Sequence, residues 1–284
     1  MLNSSISSPA GGSSRPGEGA SSALRSEGGL LERLWRRTLL IARNLVVIAV
    51  VIGIWQWLVS SGTISAQFLA SPSQIVRAIV DGYTNGQLTT DTAVTLQRVA
   101  VGWAVGCGLG YIVGLIIGVA KLADETLGPL LELLRPVSPV ALVPVAILWF
   151  GIGNFAKYFI IAFACFWPVL LNTKAGVRRI PDLQRRVAKV LHLSWSEQLF
   201  KVYLPGTLPD VFVGLRLSAG IAFVVVVAAE LVGATDGLGY QILSAEQSFK
   251  TPLVFGAVVL LALFGLAANI ILETLRRMVV RWNW

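Results

Sequence analysis

The sequence predicts an all-α polytopic membrane protein with six transmembrane helices and a long loop on the cytoplasmic side. Three observations predict it. Of 284 residues, 55% are hydrophobic and only 13% charged, about half the charge of an ordinary soluble domain. The mean hydropathy is +0.73, and the 28 Gly and 9 Trp suit lipid, where glycine is frequent in spans and Trp collects at the interfaces. The apolar residues also fall in six separate runs, with the basic residues between them.

In chain order, residues 1–29 hold nine Ser and six Gly with Pro9 and Pro16. That composition cannot bury enough apolar surface to offset ordering entropy, so a disordered cytoplasmic tail is expected. Residues 30–65 carry Arg33, Arg36 and Arg37 and then the first apolar run, 39–59. Its length exceeds the roughly 7 to 15 residues of a signal-peptide core, which favours a retained span. An external loop with an amphipathic segment is expected at 66–98. The core follows at 99–272, with spans at 99–120, 137–150, 155–173, 211–233 and 253–272, a loop at 174–207, and a basic tail at 273–284. The runs at 137–150 and 155–173 are short and hold Pro139, Pro144 and Pro168, which predicts kinked helices whose freed carbonyls find partners inside a bundle.

Orientation follows from Lys and Arg, which are enriched in short cytoplasmic loops. With the N-terminus inside, the inner segments hold Lys121, Arg135, seven basic residues from Lys174 to Lys201, Arg276, Arg277 and Arg281. The outer loops keep Arg77 and Lys250, with Arg98 and Lys157 at span ends. Both termini are therefore expected in the cytoplasm. No internal repeat is visible, which counts against an inverted-repeat carrier.

The net charge of +8 does not indicate nucleic acid, because the basic residues are spread between apolar runs rather than gathered on a soluble face. Cys107, Cys165 and the single His192 are too few for a disulfide framework or a metal site, and no cofactor is expected. No Lys is preceded by Gly and followed by Ser or Thr, so the sequence has no phosphate-binding loop. It also has no Ser/His/acid arrangement. Any hydrolysis that powers this protein must come from a separate chain.

Two segments carry mechanism. Gly102, Gly106, Gly110, Gly114 and Gly118 recur every four residues, a stripe that lets another helix approach closely; the same smooth face would also suit sliding. Gly108 lies off the stripe. The loop beginning at Lys174 is too long for a simple connector and reads as two short amphipathic helices. In the first, Leu183, Val187, Val190 and Leu191 recur at helical spacing after Pro181-Asp182. His192-Leu193 interrupts it. Ser194 with Glu197 then has the spacing of a capping box, opening a second helix with Trp195, Leu199, Val202 and Tyr203 on one side and Leu204-Pro205 at its end. Such a ledge suits either anionic lipid or a docked protein.

From Arg186 the run Arg-Val-Ala-Lys-Val-Leu-His-Leu-Ser-Trp, followed by Phe200 and Tyr203-Leu204-Pro205, resembles the EAA loop of permease subunits of bacterial ABC importers. The likeness extends from about Phe68 to the C-terminus. Phe68 to Ser73, Leu131 to Pro136, Leu148 to Gly153, and Glu230 followed by Gly237-Leu238-Gly239-Tyr240 resemble the nitrate, sulfonate and taurine branch of that family. The resemblance implies a type I importer fold. It also implies that Arg186, Val187, Ala188, Lys189, Leu191, His192, Leu193, Ser194 and Trp195 dock an ATP-binding cassette subunit. Arg186 stands where the family commonly has Glu, and His192 where it commonly has Gly, so His192 must make a sharp turn without glycine's freedom.

Within the spans, charges are costly and hence informative. Arg216 lies two turns from the inner side and is expected to snorkel. Glu230 is either a solvated helix end or a gate residue bonded to the turn at Gly239 and Tyr240. Trp167 and Asn172, beside Pro168, are either pathway residues or interface anchors. Arg98 either attracts anions or marks a boundary. The expected function is the permease of an ATP-driven importer of a small anion or organic anion in a bacterial inner membrane. Its expected partners are two ATPase subunits, a second copy of itself, an extracytoplasmic binding protein and the bilayer. The rival is an ion-gradient-driven carrier or channel, which would be expected to place several ionisable groups deep in its spans.

Overall fold

A computed structural model describes residues 43, 46–47, 49–62, 64–65 and 68–280. The expected tail at 1–29, Arg33, Arg36, Arg37 and the last four residues lie outside the described residues, as does much of the first run. The chain divides into two compact units, Met1–Leu58 and Val59–Trp284. The described apolar helix α1 is Ala49–Ser60.

The second unit is built of helices. Helix α2, Pro72–Thr84, starts from a capping box: the Ser71 hydroxyl accepts from the Gln74 N–H while the Gln74 side chain accepts from the Ser71 N–H, with Pro72 in the first turn. Helix α3, Gln87–Val119, runs 33 residues. It begins twelve residues before its apolar run because Asp91, Thr92, Thr95 and Arg98, polar in sequence, are buried along it. Helix α4 is Lys121–Leu134. A 3-10 turn, Val140–Leu142, leads into α5, Val143–Phe150. Helix α6 is Asn154–Arg179. After the ledge helices α7, Asp182–Val190, and α8, Trp195–Gln198, a π-helical turn at Leu199–Tyr203 feeds α9, Leu204–Gly233. Helices α10, Leu238–Gln247, and α11, Thr251–Val279, complete the unit.

Two expectations change. The run at 137–150 is not a span by itself. Pro136, Pro139 and Pro144 each lack an N–H, and they leave a 3-10 turn and an eight-residue helix, about 12 Å long at 1.5 Å per residue. Because α3 ends beside the ledge and α6 starts at the other end beside Arg98, the chain between them must travel the full depth. Helices α4 and α5 therefore make one broken crossing. Among the described residues, four continuous helical stretches are long and apolar enough to cross alone: Gln87–Val119, Asn154–Arg179, Trp195–Gly233 and Thr251–Val279. The second change is at Leu204-Pro205, which does not end the ledge. Pro205 sits in the first turn of α9, where an N–H has no helical acceptor to lose, and the π turn joins the two helices.

The core is the contact of α3 with α6. All five stripe glycines face α6: a Cβ would lie 2.6 Å from Ile161 at Gly102, 2.3 Å from the Ala162 carbonyl oxygen at Gly106, and 2.5 Å from the Phe166 oxygen at Gly110. At Gly114 it would lie 2.7 Å from the Leu170 oxygen, and at Gly118 2.7 Å from Val177. Gly108 faces open space. No side chain fits between the helices, so their backbones meet directly.

Candidate functional site

At the end of the bundle where α10 begins, a buried polar latch joins α3, α6, α9 and α10. Glu230 on α9 is fully buried and Arg98 on α3 is 3% exposed. The Arg98 Nη1 donates to Glu230 Oε1 at 2.9 Å and to the Asp236 carbonyl at 2.8 Å, its Nε donates to Asn154 Oδ1 at 2.9 Å, and its other terminal nitrogen pairs with the Asp236 carboxylate. The Thr95 hydroxyl donates to Glu230 at 2.9 Å. The first N–H groups of α10 supply the rest: Gly237 donates to Asp91, Leu238 to the Thr95 hydroxyl and Gly239 to Glu230, each at 2.8 Å. A helix start has N–H groups without intrahelical acceptors and a positive dipole end, so carboxylates belong there. Gly237 has φ +107° and a Cβ on it would fall 2.6 Å from the Glu230 carboxylate, so only glycine lets the turn close on that side chain. Tyr240 is half-buried one residue beyond. Lys157 caps the same end, donating to the Gly153 and Gly233 carbonyls at 3.2 and 3.0 Å.

At the opposite end, the ledge turns as its spacing requires. His192 has φ +49°. The Leu193 N–H reaches back to the Ala188 carbonyl at 3.1 Å, the 6→1 bond of a Schellman helix end, whose left-handed position is normally glycine. The His192 Nδ1 lies 2.9 Å from the Val190 oxygen. Ser194 and Glu197 form the reciprocal capping box of α8. Three hydrogen-bonding neighbours, Lys201 foremost and then the Ser194 N–H and hydroxyl, hold the Glu197 carboxyl down to about 2.

The ledge exposes Leu183, Val187, Val190, Leu191 and Trp195, the last 66% exposed. Arg186 and Ser194 are exposed too, and Leu193 is half-buried; Lys189 lies within α7. Ala188 does not belong to this face: it is 3% exposed. At helical spacing it lies roughly a third of a turn off the centre of the apolar stripe.

The bundle's middle holds what sequence reasoning missed. Trp167 is thirteen residues from the start of α6 and twelve from its end, so it sits about 18–20 Å from either. It shares a cavity of about 50 Å³ with Glu132, Arg135, Leu170, Leu171 and Lys174. Arg135 is thus near mid-depth and not in an end loop, because the broken α4–α5 crossing carries it there. The signal available was local: Leu130, Leu131, Leu133 and Leu134 surround Glu132 on a helical pattern. Asn172 lies further along α6 and donates to the Pro168 carbonyl, one turn back on the same helix, at 2.7 Å. Arg216 does not snorkel. It bonds Asn269 and Glu273 on α11, both at 2.8 Å, and Glu273 lies in a helix that continues to Val279 rather than in a tail.

Spanning helices packed backbone to backbone, with a buried polar cluster at one end and an exposed apolar shelf at the other, fit a subunit of a membrane transport system. The described residues contain no metal-binding group of side chains. The chain belongs to the family of binding-protein-dependent transport system inner membrane components, matching it over residues 106–283. It is 36% identical over 241 residues to SsuC of Bacillus subtilis, a permease named for aliphatic sulfonates, covering 85% of this chain and 87% of that one. It is 30% identical to the taurine transport system permease protein TauC of Escherichia coli, covering 88% and 92%, and 34% identical to the nitrate import permease protein NrtB of Leptolyngbya laminosa, covering 85% and 88%. Among solved structures it resembles a chain of the inward-facing MetNI methionine ABC transporter, with a TM-score of 0.56 at 19% identity over 65% of this chain and 92% of that one; that likeness carries the fold. The chain is a permease subunit of an ABC transport system, and this reading prevails over the ion-driven carrier.

Proposed function

We propose that two copies of this chain form the path of an importer for small oxyanions or organic anions, driven by two ATPase subunits docked on the ledges. The observation that carries the docking is the apolar stripe of α7, exposed at Leu183, Val187, Val190 and Leu191 and continued by Trp195. A helix face of that kind left uncovered in a membrane protein's aqueous end marks a partner surface. The ledge end is cytoplasmic in this reading, as its basic residues require, and both termini lie on that side. The latch end faces the binding protein. Closing of the ATPase pair pushes the rigid α7–α8 corner, and the π turn passes the displacement to α9, which carries Glu230. Glu230 is then the outer gate, shut when the start of α10 is bonded to it. The anionic substrate class is supported by the sulfonate, taurine and nitrate permeases among the relatives.

The test is Val187→Glu with Leu191→Glu in one chain, co-expressed with the ATPase. Both side chains are exposed, so the protein should reach the membrane in normal amount while ATPase co-purification and uptake are lost. Uptake at the wild-type rate removes the ledge from coupling. Ala188 is unsuitable for this purpose, since a charged side chain there would disturb packing within the ledge.

A further inference from the structure

Arg135 is the cap residue just after α4, and it sits near mid-depth with Glu132 one turn before it, both exposed. Among the described residues neither makes an ion pair or a hydrogen bond. Charged side chains at this depth face the bundle interior or a water-filled cavity, because lipid offers them nothing. A second, independent observation points to a ligand at the same place. Trp167 is 91% buried by the complement of its 9% exposure, lines the cavity with Arg135, and its indole N–H has no acceptor. Buried donors in native proteins are nearly always satisfied. The other cation at the cavity, Lys174, is held by Asp124, which leaves the Arg135 guanidinium and the Trp167 N–H as the donors without partners.

We infer that Arg135 and Trp167 form a mid-membrane step that takes the oxyanion head of the transported solute, resting on the anion-import reading above. A guanidinium presents a planar fork suited to a sulfonate or nitrate oxygen pair, and the indole N–H adds a third donor. A cavity of about 50 Å³ has room for a few water molecules, the scale of such a head. Glu132, one turn away on the same helix, lowers the local positive potential. A pathway site must bind strongly enough to draw the solute in and weakly enough to release it, and this carboxylate sets that balance. The class of ligand is therefore a small oxyanion or an organic sulfonate, and an aminoalkyl sulfonate would place its ammonium group beside Glu132.

The experiment uses the permease reconstituted in proteoliposomes with its ATPase and binding protein, with taurine, ethanesulfonate and nitrate as separate probes. Arg135→Gln should lower uptake of whichever probe is carried at least tenfold while binding-protein-stimulated ATP hydrolysis persists. Arg135→Lys and Trp167→Phe should each lose severalfold, and Glu132→Gln should slow turnover while lowering the solute concentration at half-maximal rate. Preference for taurine over ethanesulfonate that disappears in Glu132→Gln assigns the ammonium to that carboxylate. Because Cys107 and Cys165 are buried, Arg135→Cys can be labelled selectively. A water-soluble thiol reagent carrying an ammonium group should label it and restore part of the uptake, whereas one carrying a sulfonate should not. The inference is overturned by wild-type uptake in Arg135→Gln, by no labelling of Arg135→Cys, or by full recovery in the charge-swapped Glu132→Arg, Arg135→Glu double variant, which would make the pair structural. ATP hydrolysis by the wild-type assembly with uptake of none of the three probes would instead refute the anion-import reading.

Discussion

Replacing Glu230 by Leu removes the acceptor for the Arg98 guanidinium, the Thr95 hydroxyl and the Gly239 N–H together. Breaking a buried pair from one side costs about 3–5 kcal/mol, because the abandoned charge and donors stay out of water. Arg98→Met removes the other half and leaves Glu230 with only its two neutral donors, a cost of the same order. The double variant differs: Asp236, the remaining charged partner of Arg98, is 44% exposed and returns to water at little cost. The two changes together should therefore cost less than their sum by about 2 kcal/mol, as coupled neighbours do. The assay is reversible unfolding of the detergent-solubilised protein, with Asp236→Asn as a control expected to lose well under the cost of either single change. Additivity within about 0.5 kcal/mol would refute the latch as a unit and with it the idea that α10 is shut onto α9 through this pair.

Three further outcomes follow from the geometry. Gly106→Leu must push α6 away, since even its Cβ falls 2.3 Å from a backbone oxygen. It should cost about 1–3 kcal/mol or more in the same unfolding assay, while Gly108→Leu, which meets nothing within 4 Å, should leave the midpoint in place. His192→Gly should preserve the ledge and resist proteolysis at least as well as the parent, whereas His192→Val should open it, because a β-branched residue is a poor occupant of φ +49°. The Glu197 carboxyl, held at about 2 against an ordinary value near 4.5, has a depressed pKa. Its contribution is thus complete above about pH 4.5 and is lost as pH falls through 2; amide exchange at the start of α8 should show no Glu197-dependent change from pH 8 to 5.

Sequence patterns reached far where a physical signal is local. The glycine stripe and the Ser194–Glu197 box follow from spacing along one helix, whereas for Glu230 the sequence left open a solvated helix end or a bond to the glycine turn, and its burial and the Gly239 N–H decide for the bond. What stayed hidden depends on partners distant in sequence. Residues 87–98 look like a loop because Asp91, Thr95 and Arg98 are polar, and only their bonds to α9 and α10 make a helix of them. Helix α4 looks like an inner connection because Lys121, Asp124, Glu125 and Glu132 interrupt its apolar pattern, yet Asp124 pairs with Lys174 and Arg178 on α6, and the leucines beyond it enter the bundle. Prolines 136, 139 and 144 then divide the crossing so that neither half reads as a span.

Three arginines away from the helix ends of the bundle, Arg98, Arg135 and Arg216, show why partner inventory says more than position. Arg98 uses four of its five N–H donors on Asn154, Glu230 and Asp236, all within this chain, and two carboxylates offset its charge, which leaves it little with which to draw in a solute. The alternative in which it attracts anions therefore fits the geometry poorly while the latch is shut. Arg216 is tied to Asn269 and Glu273 across α9 and α11, a fixed brace at about the depth of Trp167, since Gly214 two residues before it packs against Pro168 and Val169. Arg135 has the same chemistry at a similar depth, with no partner among the described residues. A cation kept at such depth without a fixed counter-charge must meet one that comes and goes, or one brought by a second copy, and the charge-swapped double variant separates the two: a fixed pair survives exchange of its members, whereas an oxyanion finds its cation only where the path presents it.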